Sequence, residues 1–172
     1  KDWLAGRWVA KSLVMQALGT RYAFRQMDIL ADDDGQPVVA YPPLERGKLS
    51  ISLTHSGGMA AAVVDPTGRP IGVDLEKIQP HHPPWSPVAF HKDELDGRSD
   101  PSELTRLWTV KEAVLKLLGL GLTADLHEVG MRPSLTLYGK ALERHRQMGS
   151  PPIRLASWQE GEFWYTIAAT AE

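Results

Sequence analysis

The feature that most constrains this chain is a helix signature between Asp100 and Gly119. Asp100 precedes Pro101 and is typical of an N-cap residue, because its carboxylate can accept hydrogen bonds from the first free amides. Glu103 stands where a capping box would be completed, and Gly119 offers a C-terminal stop. Apolar residues recur between these ends at helical spacing, among them Leu104, Leu107, Val114 and Leu118. The pattern predicts a long helix with one face packed into a core.

Three charged residues of this predicted helix are not explained by packing alone. Glu112 and Lys116 are four residues apart and lie side by side on the polar margin. Lys111 projects instead into the apolar stripe. A surface ion pair would account for the first two residues, and a snorkelling side chain would account for the third. The helix by itself leaves both the structural and the functional interpretation open.

A second acidic group lies upstream, in a segment that alternates strictly between apolar and other residues. The apolar run 59–64, the turn 65–68 and the alternating segment 70–76 predict a β-hairpin, or at least two neighbouring strands. Alternation puts Asp74 and Glu76 on the same strand face as Gly72. Two carboxylates so placed repel each other unless a cation lies between them, and hard oxygen ligands suit Mg²⁺. A solvated acidic strand face is the alternative.

A third segment, residues 49–58, alternates apolar and small polar residues and then ends in paired glycines. It predicts a strand that presents His55 and a hydroxyl beside a backbone that a ligand can approach closely. His55 fits either a phosphate donor or a structural histidine.

Three motifs occur in order along the chain. They are Ser52-Leu53-Thr54-His55-Ser56, Ile71-Gly72-Val73-Asp74-Leu75-Glu76 and Trp108-Thr109-Val110-Lys111-Glu112-Ala113-Val114-Leu115-Lys116. In order and spacing they resemble the signatures of the phosphopantetheinyl transferases. The surfactin-synthetase type is more similar than the short trimeric holo-acyl-carrier-protein synthases. The helical segment 4–11 and the Gly35-Gln36-Pro37 turn extend the resemblance over most of the chain.

The resemblance implies a reaction and a set of site residues. The family transfers the phosphopantetheine arm of coenzyme A to a serine of a carrier protein and releases adenosine 3′,5′-bisphosphate. By position, the implied ligands of Mg²⁺, or of Mn²⁺ in its place, are Asp74, Glu76 and Glu112. The implied coenzyme A contacts are Arg7, Gln36, Pro37, Thr54 and His55, with Lys111 and Lys116 on the pyrophosphate side.

Glu112 and Lys116 are the catalytic residues that the resemblance implies. Attack on the β-phosphorus of a pyrophosphate builds negative charge on its oxygens, and a cation together with a lysine offsets that charge. Lys116 would then stabilise or protonate the leaving phosphate. Glu112 would act as a metal ligand, as the base toward the carrier serine, or as both.

Two features depart from the family pattern. Many relatives have a basic Gly-Lys-Pro turn, whereas this chain has Ala31-Asp32-Asp33-Asp34-Gly35-Gln36-Pro37, so the 3′-phosphate of coenzyme A needs other partners. The candidates are Lys1, Arg7, Lys11 and His55, although Arg7 and Lys11 also fit the exposed face of an amphipathic helix. The chain also opens almost directly on this helix, which indicates a trimmed chain or a domain of a longer polypeptide.

The fold implied by the resemblance is α+β, with two similar halves related by a pseudo-twofold axis. Each half packs a small antiparallel sheet on a long helix, and the active site lies between the halves. The proline-rich segment 80–87 is the predicted linker, and the halves are residues 1–80, with the coenzyme A and metal side, and 81–172, with the long helix. Together they form one catalytic unit. Patterning adds a helix over 3–18 and strands over 38–41, 135–138, 153–158 and 163–169.

Composition narrows the classes of function. A formal net charge of −2 over 172 residues, with no basic block, argues against nucleic-acid binding. The lack of cysteine suits the cytoplasm, and no apolar run reaches the length of a membrane span. The expected protein is a monomer that resembles a dimer internally, with coenzyme A and an acyl or peptidyl carrier protein as its partners.

Two other functions fit the same residues. One is a different magnesium-dependent phosphoryl or pyrophosphate enzyme that uses Asp74, Glu76 and Glu112. The other is a non-catalytic module that binds carrier proteins. Leu95, Arg98 and Arg106 are weak candidates for a carrier-docking surface, and Glu94 has at most a minor supporting role.

Overall fold

The computed structural model describes residues 2–19, 24–41, 48–79, 86–95, 97 and 100–171. Its α-helices are α1 (Asp2–Leu18), α2 (Ser86–Ala89), α3 (Lys92–Leu95), α4 (Pro101–Leu117) and α5 (Gly139–Gln147). Its strands are β1 (Asp28–Ala31), β2 (Pro37–Tyr41), β3 (Ser50–Ser56), β4 (Met59–Asp65), β5 (Ile71–Lys77), β6 (Val129–Met131), β7 (Leu135–Leu137), β8 (Ile153–Glu160) and β9 (Phe163–Thr170). Lys1, Arg98 and residues 80–85 of the predicted linker lie outside the described residues.

Helix α4 begins and ends where the sequence predicts. The Asp100 carboxylate accepts hydrogen bonds from two amides of the first turn, each at 3.3 Å. At the other end Gly119 has a φ of 71° and donates to the Lys116 carbonyl, while Leu120 donates to that of Leu115, which is a Schellman motif. The Glu103 carboxylate accepts two hydrogen bonds of 2.9 Å from Arg106, and the described residues show no bond between it and the Asp100 amide of the kind that a capping box requires.

The hairpin in this part of the chain is β3–β4, so the predicted hairpin of β4 with β5 is wrong, although these two strands are in contact, as the alternative of neighbouring strands predicted. Gly57 and Gly58 both have positive φ, which suits the two-residue turn that joins β3 to β4. The longer connection 66–70 leads the chain away from β4 instead. Strand β5 is hydrogen-bonded to β9, and the described strands form one three-stranded antiparallel sheet in the order β5-β9-β8.

Two helices cover the strands, and each is packed against its own antiparallel strands. Helix α1 contacts β3 and β4, whereas α4 contacts β5 and β9. Strand β5 precedes the proline-rich segment and β9 follows it, so a division at residue 80 cuts through the three-stranded sheet. The chain is of the α+β class.

The described residues have three apolar clusters, of which the two larger lie beneath α4 and α1. The cluster beneath α4 contains Val114, Leu115, Leu118, Val129, Ala141 and Ala168. The cluster beneath α1 contains Ala10, Val14, Met27, Ile29 and Ile51. No helix in the described ranges is long and apolar enough to cross a membrane.

Gly72 sets the distance between β5 and α4. A Cβ atom added there would lie 2.0 Å from the Ala113 carbonyl oxygen and 2.6 Å from the Leu117 amide nitrogen. Both atoms belong to the helix backbone, which cannot rotate out of the way as a side chain can. The strand therefore lies against α4 at a separation that only glycine permits.

We expect Gly72→Ala to lower the free energy of unfolding by at least the roughly 1–3 kcal/mol typical of overpacking. Urea unfolding followed by circular dichroism measures the loss. Gly6→Ala is the matched control, because its added Cβ would meet only Ala60 at 4.0 Å within a helix. That control should gain about 0.5–1 kcal/mol. Equal unfolding midpoints for Gly72→Ala and the unaltered chain would contradict the close packing of β5 against α4 at Gly72.

Candidate active site

Strands β3 and β5 lie side by side and are joined through hydroxyl groups of β3. Each hydroxyl accepts a hydrogen bond from a backbone amide of β5. The donor and acceptor pairs are Val73 to Ser52 at 3.0 Å, Leu75 to Thr54 at 3.3 Å and Lys77 to Ser56 at 3.4 Å. This set of contacts, called the hydroxyl ladder below, fixes the carboxylates of β5 relative to β3.

Asp74 is the most enclosed of these carboxylates, with 3% of its surface exposed. Its Oδ1 atom accepts hydrogen bonds from the Thr54 hydroxyl at 2.8 Å and from the Lys116 ammonium at 2.6 Å. Its Oδ2 atom is buried and has no hydrogen-bond partner in the described part of the chain. A buried carboxylate oxygen without a partner is costly, and a cation is the group that most readily satisfies it.

Glu76 and Glu112 lie close enough to Asp74 for the three charges to affect one another. Burial raises the pKa of Glu76, and the negative charge of Asp74 raises it further, against a hydrogen bond from Ser56 at 2.5 Å. Burial raises the pKa of Glu112 to about 7, and repulsion by Asp74 and Glu76 contributes while Lys116 opposes it. Burial also raises the pKa of Asp74, although Lys116 and Thr54 oppose that shift. The three carboxylates therefore share one electrostatic site.

This donor set fits a divalent cation that prefers oxygen ligands. No three acidic, histidine or cysteine side chains among the described residues are already arranged as a metal cluster. At least one of the three carboxylates must therefore turn toward the other two before all three can reach one ion. The buried unpaired oxygen of Asp74 and the mutual repulsion of the carboxylates both favour such a cation, and Mg²⁺ matches the ligand type.

A cleft of about 510 Å³ opens beside the carboxylates. It lies between α1, the β1–β2 turn, β3 and the end of α4. The sequence-predicted residues that line it are Arg7, Gln36, Pro37, Thr54, His55 and Lys116. Lys116 lines the cleft and also contacts Asp74, so it connects the cleft with the acidic site. Lys11 is not in the lining, and its ammonium lies 5.4 Å from the centre of the Phe24 ring.

The acidic turn between β1 and β2 is built by one of its own aspartates. Asp32 Oδ1 accepts hydrogen bonds from the amides of Asp34 and Gln36, at 3.1 and 2.8 Å. Asp34 lines the cleft beside Gln36. A Cβ added at Gly119 would lie 2.1 Å from Gln36 Nε2, so the Gln36 amide group packs against the end of α4.

The structure does not bring Lys111 to the cleft, contrary to the sequence-based prediction. Its ammonium is fully buried, 2.7 Å from Glu94 Oε2 and 3.2 Å from the Leu126 carbonyl oxygen. It also lies 5.5 Å from the centre of the Phe90 ring. Periodicity correctly pointed this side chain inward, but the side chain ends in an internal ion pair and neither snorkels to solvent nor joins the cleft.

Glu94 has a larger structural role than the sequence indicated. Its carboxylate is 1% exposed and accepts hydrogen bonds from Lys111, from the His91 amide and from the Met131 amide. Glu94 thus ties α3, α4 and β6 together. The sequence feature that could have indicated this role of Glu94 was the inward-pointing Lys111, since a buried charge requires a partner of opposite charge.

Comparison with known proteins identifies the family. Residues 70–167 match the model of the 4′-phosphopantetheinyl transferase superfamily. These residues include β5 with Asp74 and Glu76 and all of α4 with Glu112 and Lys116. The chain belongs to this superfamily.

Individual relatives match parts of the chain. A holo-[acyl-carrier-protein] synthase of Streptococcus equi subsp. zooepidemicus is 40% identical over 65 residues, which are 36% of this chain and 54% of that protein. The 4′-phosphopantetheinyl transferase psf-1 of Bacillus pumilus is 31% identical over 130 residues, or 71% of this chain and 53% of that protein. The chain therefore spans about half the length of the curated relatives it matches.

Among solved structures, the holo-[acyl-carrier-protein] synthase of Helicobacter pylori in complex with coenzyme A aligns with a TM-score of 0.47 and 14% identity. The alignment covers 59% of this chain and 99% of that chain.

The raised carboxyl pKa values predict how stability depends on pH. Glutamate side chains in an unfolded chain have a pKa of about 4.3, whereas burial raises the pKa of Glu112 in the folded chain to about 7. Between these values the folded state binds more protons than the unfolded state, so the free energy of unfolding should fall as pH rises from about 4 to 7. Urea unfolding in metal-free buffer should show a shallower fall for Glu112→Gln. Identical pH slopes for the two proteins would contradict the enclosed position of Glu112.

Removal of Lys111 should destabilise the fold. Lys111→Met leaves the buried Glu94 carboxylate without its positive partner. We therefore expect the free energy of unfolding to fall by about 3–5 kcal/mol. Urea unfolding measures that loss, and Lys92→Met, at an exposed position on α3, is the control. Wild-type stability of Lys111→Met would contradict the buried ion pair with Glu94.

Proposed function

We propose that this chain transfers the 4′-phosphopantetheine arm of coenzyme A to a serine of an acyl or peptidyl carrier protein, and so releases adenosine 3′,5′-bisphosphate. The observation that carries this proposal is the contact between Lys116 and Asp74, where the cleft of about 510 Å³ meets the acidic site. Membership of the superfamily supports the proposal, as do the names of the relatives.

In this proposal Asp74, Glu76 and Glu112 hold Mg²⁺, for which Mn²⁺ can substitute. The bound ion would supply Lewis-acid stabilisation of the charge that develops on pyrophosphate oxygens. Support comes from the oxygen donors, their mutual repulsion and the unpaired Oδ2 atom of Asp74. The carboxylates that repel one another in the free protein would be neutralised together.

Lys116 and Glu112 are the proposed catalytic residues. Lys116 is 24% exposed and faces the cleft, so its charge is available to the leaving phosphate. Burial and its acidic neighbours raise the pKa of Glu112 to about 7 in the metal-free protein, and a bound cation would lower it, so Glu112 would be ionised near neutral pH and able to accept the proton of a serine hydroxyl. Glu112 could bind the metal ion at one step of the reaction and accept the serine proton at another.

The rest of coenzyme A is proposed to lie along the cleft beside His55, Arg7 and the β1–β2 turn. His55 and Arg7 bring positive charge or hydrogen-bond donors to this wall, whereas Asp34 brings negative charge next to Gln36. The 3′-phosphate would therefore depend on His55 and Arg7. A monomeric, cytoplasmic enzyme built from two similar halves remains part of the proposal.

The decisive test is incubation of the chain with coenzyme A, Mg²⁺ and a panel of apo carrier proteins, followed by mass spectrometry of each carrier. The proposal requires the mass of phosphopantetheine on a carrier serine. Glu112→Ala should reduce the rate by about 100-fold or more, because a ligand and a base are lost together. Glu143→Ala, at an exposed position on α5, is the control and should retain the rate.

Other outcomes would favour the two alternative functions. Cleavage of the pyrophosphate of coenzyme A without modification of any carrier would indicate another magnesium-dependent phosphoryl enzyme. Carrier binding without coenzyme A binding or transfer would indicate a non-catalytic module. Full activity of Glu112→Ala would refute the proposed site.

A further inference from the structure

The hydroxyl ladder between β3 and β5 has a property that strand pairing alone does not require. A serine or threonine hydroxyl has one hydrogen to donate and two lone pairs that accept. In each rung, meaning one hydroxyl of β3 with its β5 partner, the hydroxyl oxygen accepts a hydrogen bond from a β5 amide. The hydroxyl hydrogen is still available for a second partner. The three rungs are Ser52, Thr54 and Ser56.

Two of the three hydrogens are donated to carboxylates of the acidic site. Thr54 donates to Asp74 Oδ1 at 2.8 Å, and Ser56 donates to Glu76 Oε2 at 2.5 Å. The third rung, Ser52, bonds the amide of Val73, next to Gly72, and glycine offers no carboxylate. Thr54 and Ser56 therefore both connect the strands and donate to a carboxylate, whereas Ser52 only connects the strands.

We propose that Thr54 and Ser56 are positioning residues for the cation, because they hold Asp74 and Glu76 in the orientations that bind it. This inference rests on the metal site proposed above. Thr54 together with Lys116 occupies Oδ1 of Asp74, and this leaves Oδ2 as the buried oxygen without a partner. The resemblance to the family implied a coenzyme A contact for Thr54, which lines the cleft, and its hydroxyl hydrogen is donated to Asp74.

The physical need for such donors is clear from the positions of the two carboxylates. Asp74 and Glu76 lie on one strand face about 7 Å apart along the strand, in a partly enclosed site where their charges repel. Without the hydroxyl donors, Glu76 could rotate away from its neighbour toward water, and Asp74 would be held by Lys116 alone. A donor that is itself anchored on a backbone amide limits that rotation. Loss of such outer partners typically weakens metal binding by roughly 10–100-fold.

The ladder supplies its own matched control. Ser52→Ala, Thr54→Val and Ser56→Ala each remove one rung and leave one β5 amide without its hydroxyl acceptor, so each should cost a similar amount of stability. Only Thr54→Val and Ser56→Ala also remove a donor to a carboxylate. Thr54→Ser keeps the hydroxyl and serves as the rescue variant.

The experiment measures the dissociation constant of Mn²⁺ by electron paramagnetic resonance at pH 8, with and without coenzyme A, alongside urea unfolding. Thr54→Val and Ser56→Ala should weaken Mn²⁺ binding by roughly 10-fold or more. Ser52→Ala should retain the wild-type affinity for Mn²⁺ despite its lower stability, and Thr54→Ser should bind within about 3-fold of wild type.

The failure of this inference can be distinguished from the failure of the proposed function. If Asp74→Asn abolishes Mn²⁺ binding while Thr54→Val and Ser56→Ala bind as tightly as Ser52→Ala, the metal site stands and the positioning role is refuted. If the unaltered chain binds no Mn²⁺ under either condition, or Asp74→Asn binds as wild type, both proposals are refuted. Should Thr54→Val fail to fold, Ser56→Ala at the more exposed rung decides the question.

Discussion

The close approach of β5 to α4 at Gly72 is the contact on which the candidate site depends. Because no side chain separates the strand from the carbonyl of Ala113, the next strand residue on the same face, Asp74, comes within 2.6 Å of the Lys116 ammonium. Glu112 precedes Ala113 and is drawn into the same region, where its pKa rises to about 7. A wider gap would let water between the helix and the strand, and the carboxylates would then behave as ordinary surface groups.

The acidic site could be predicted largely from local periodicity. Alternation put Asp74 and Glu76 on one face, and four-residue spacing put Glu112 beside Lys116; the structure brings all four into one electrostatic site. What local patterns could not supply was the partner of Lys111. The inward direction of Lys111 followed from helical periodicity, but Glu94 lies 17 residues away in the sequence, and no short-range rule joins them. For the same reason the pairing of β5 with β9, across a separation of about ninety residues, was not predicted.

The sequence predicted those helices and strands that have clear capping residues or apolar periodicity, and it missed those that lack them. Helix α4 has a side-chain cap, a proline at its start and a glycine stop, and its bounds followed from the sequence. Helix α5 was not predicted, because it begins at Gly139, lacks a side-chain cap and buries only Ala141. Such a helix is held by tertiary contacts, among them the bond from the Ala141 amide to the Glu128 carboxylate. The short strands β1 and β6 likewise carry too few residues for a periodic signal.

The connection between β3 and β5 has a consequence for how such a site can change over time. A conventional pair of strands is held by peptide groups, which are the same for every residue except proline, so point mutations alter the bonds themselves very little. Here the bonds are made by three side chains, so a single amino-acid substitution can change each bond. A substitution of serine or threonine can therefore loosen, tighten or shift one rung while the backbone of both strands is kept. The junction between the two sheets is thus directly open to selection, and to engineering, one residue at a time.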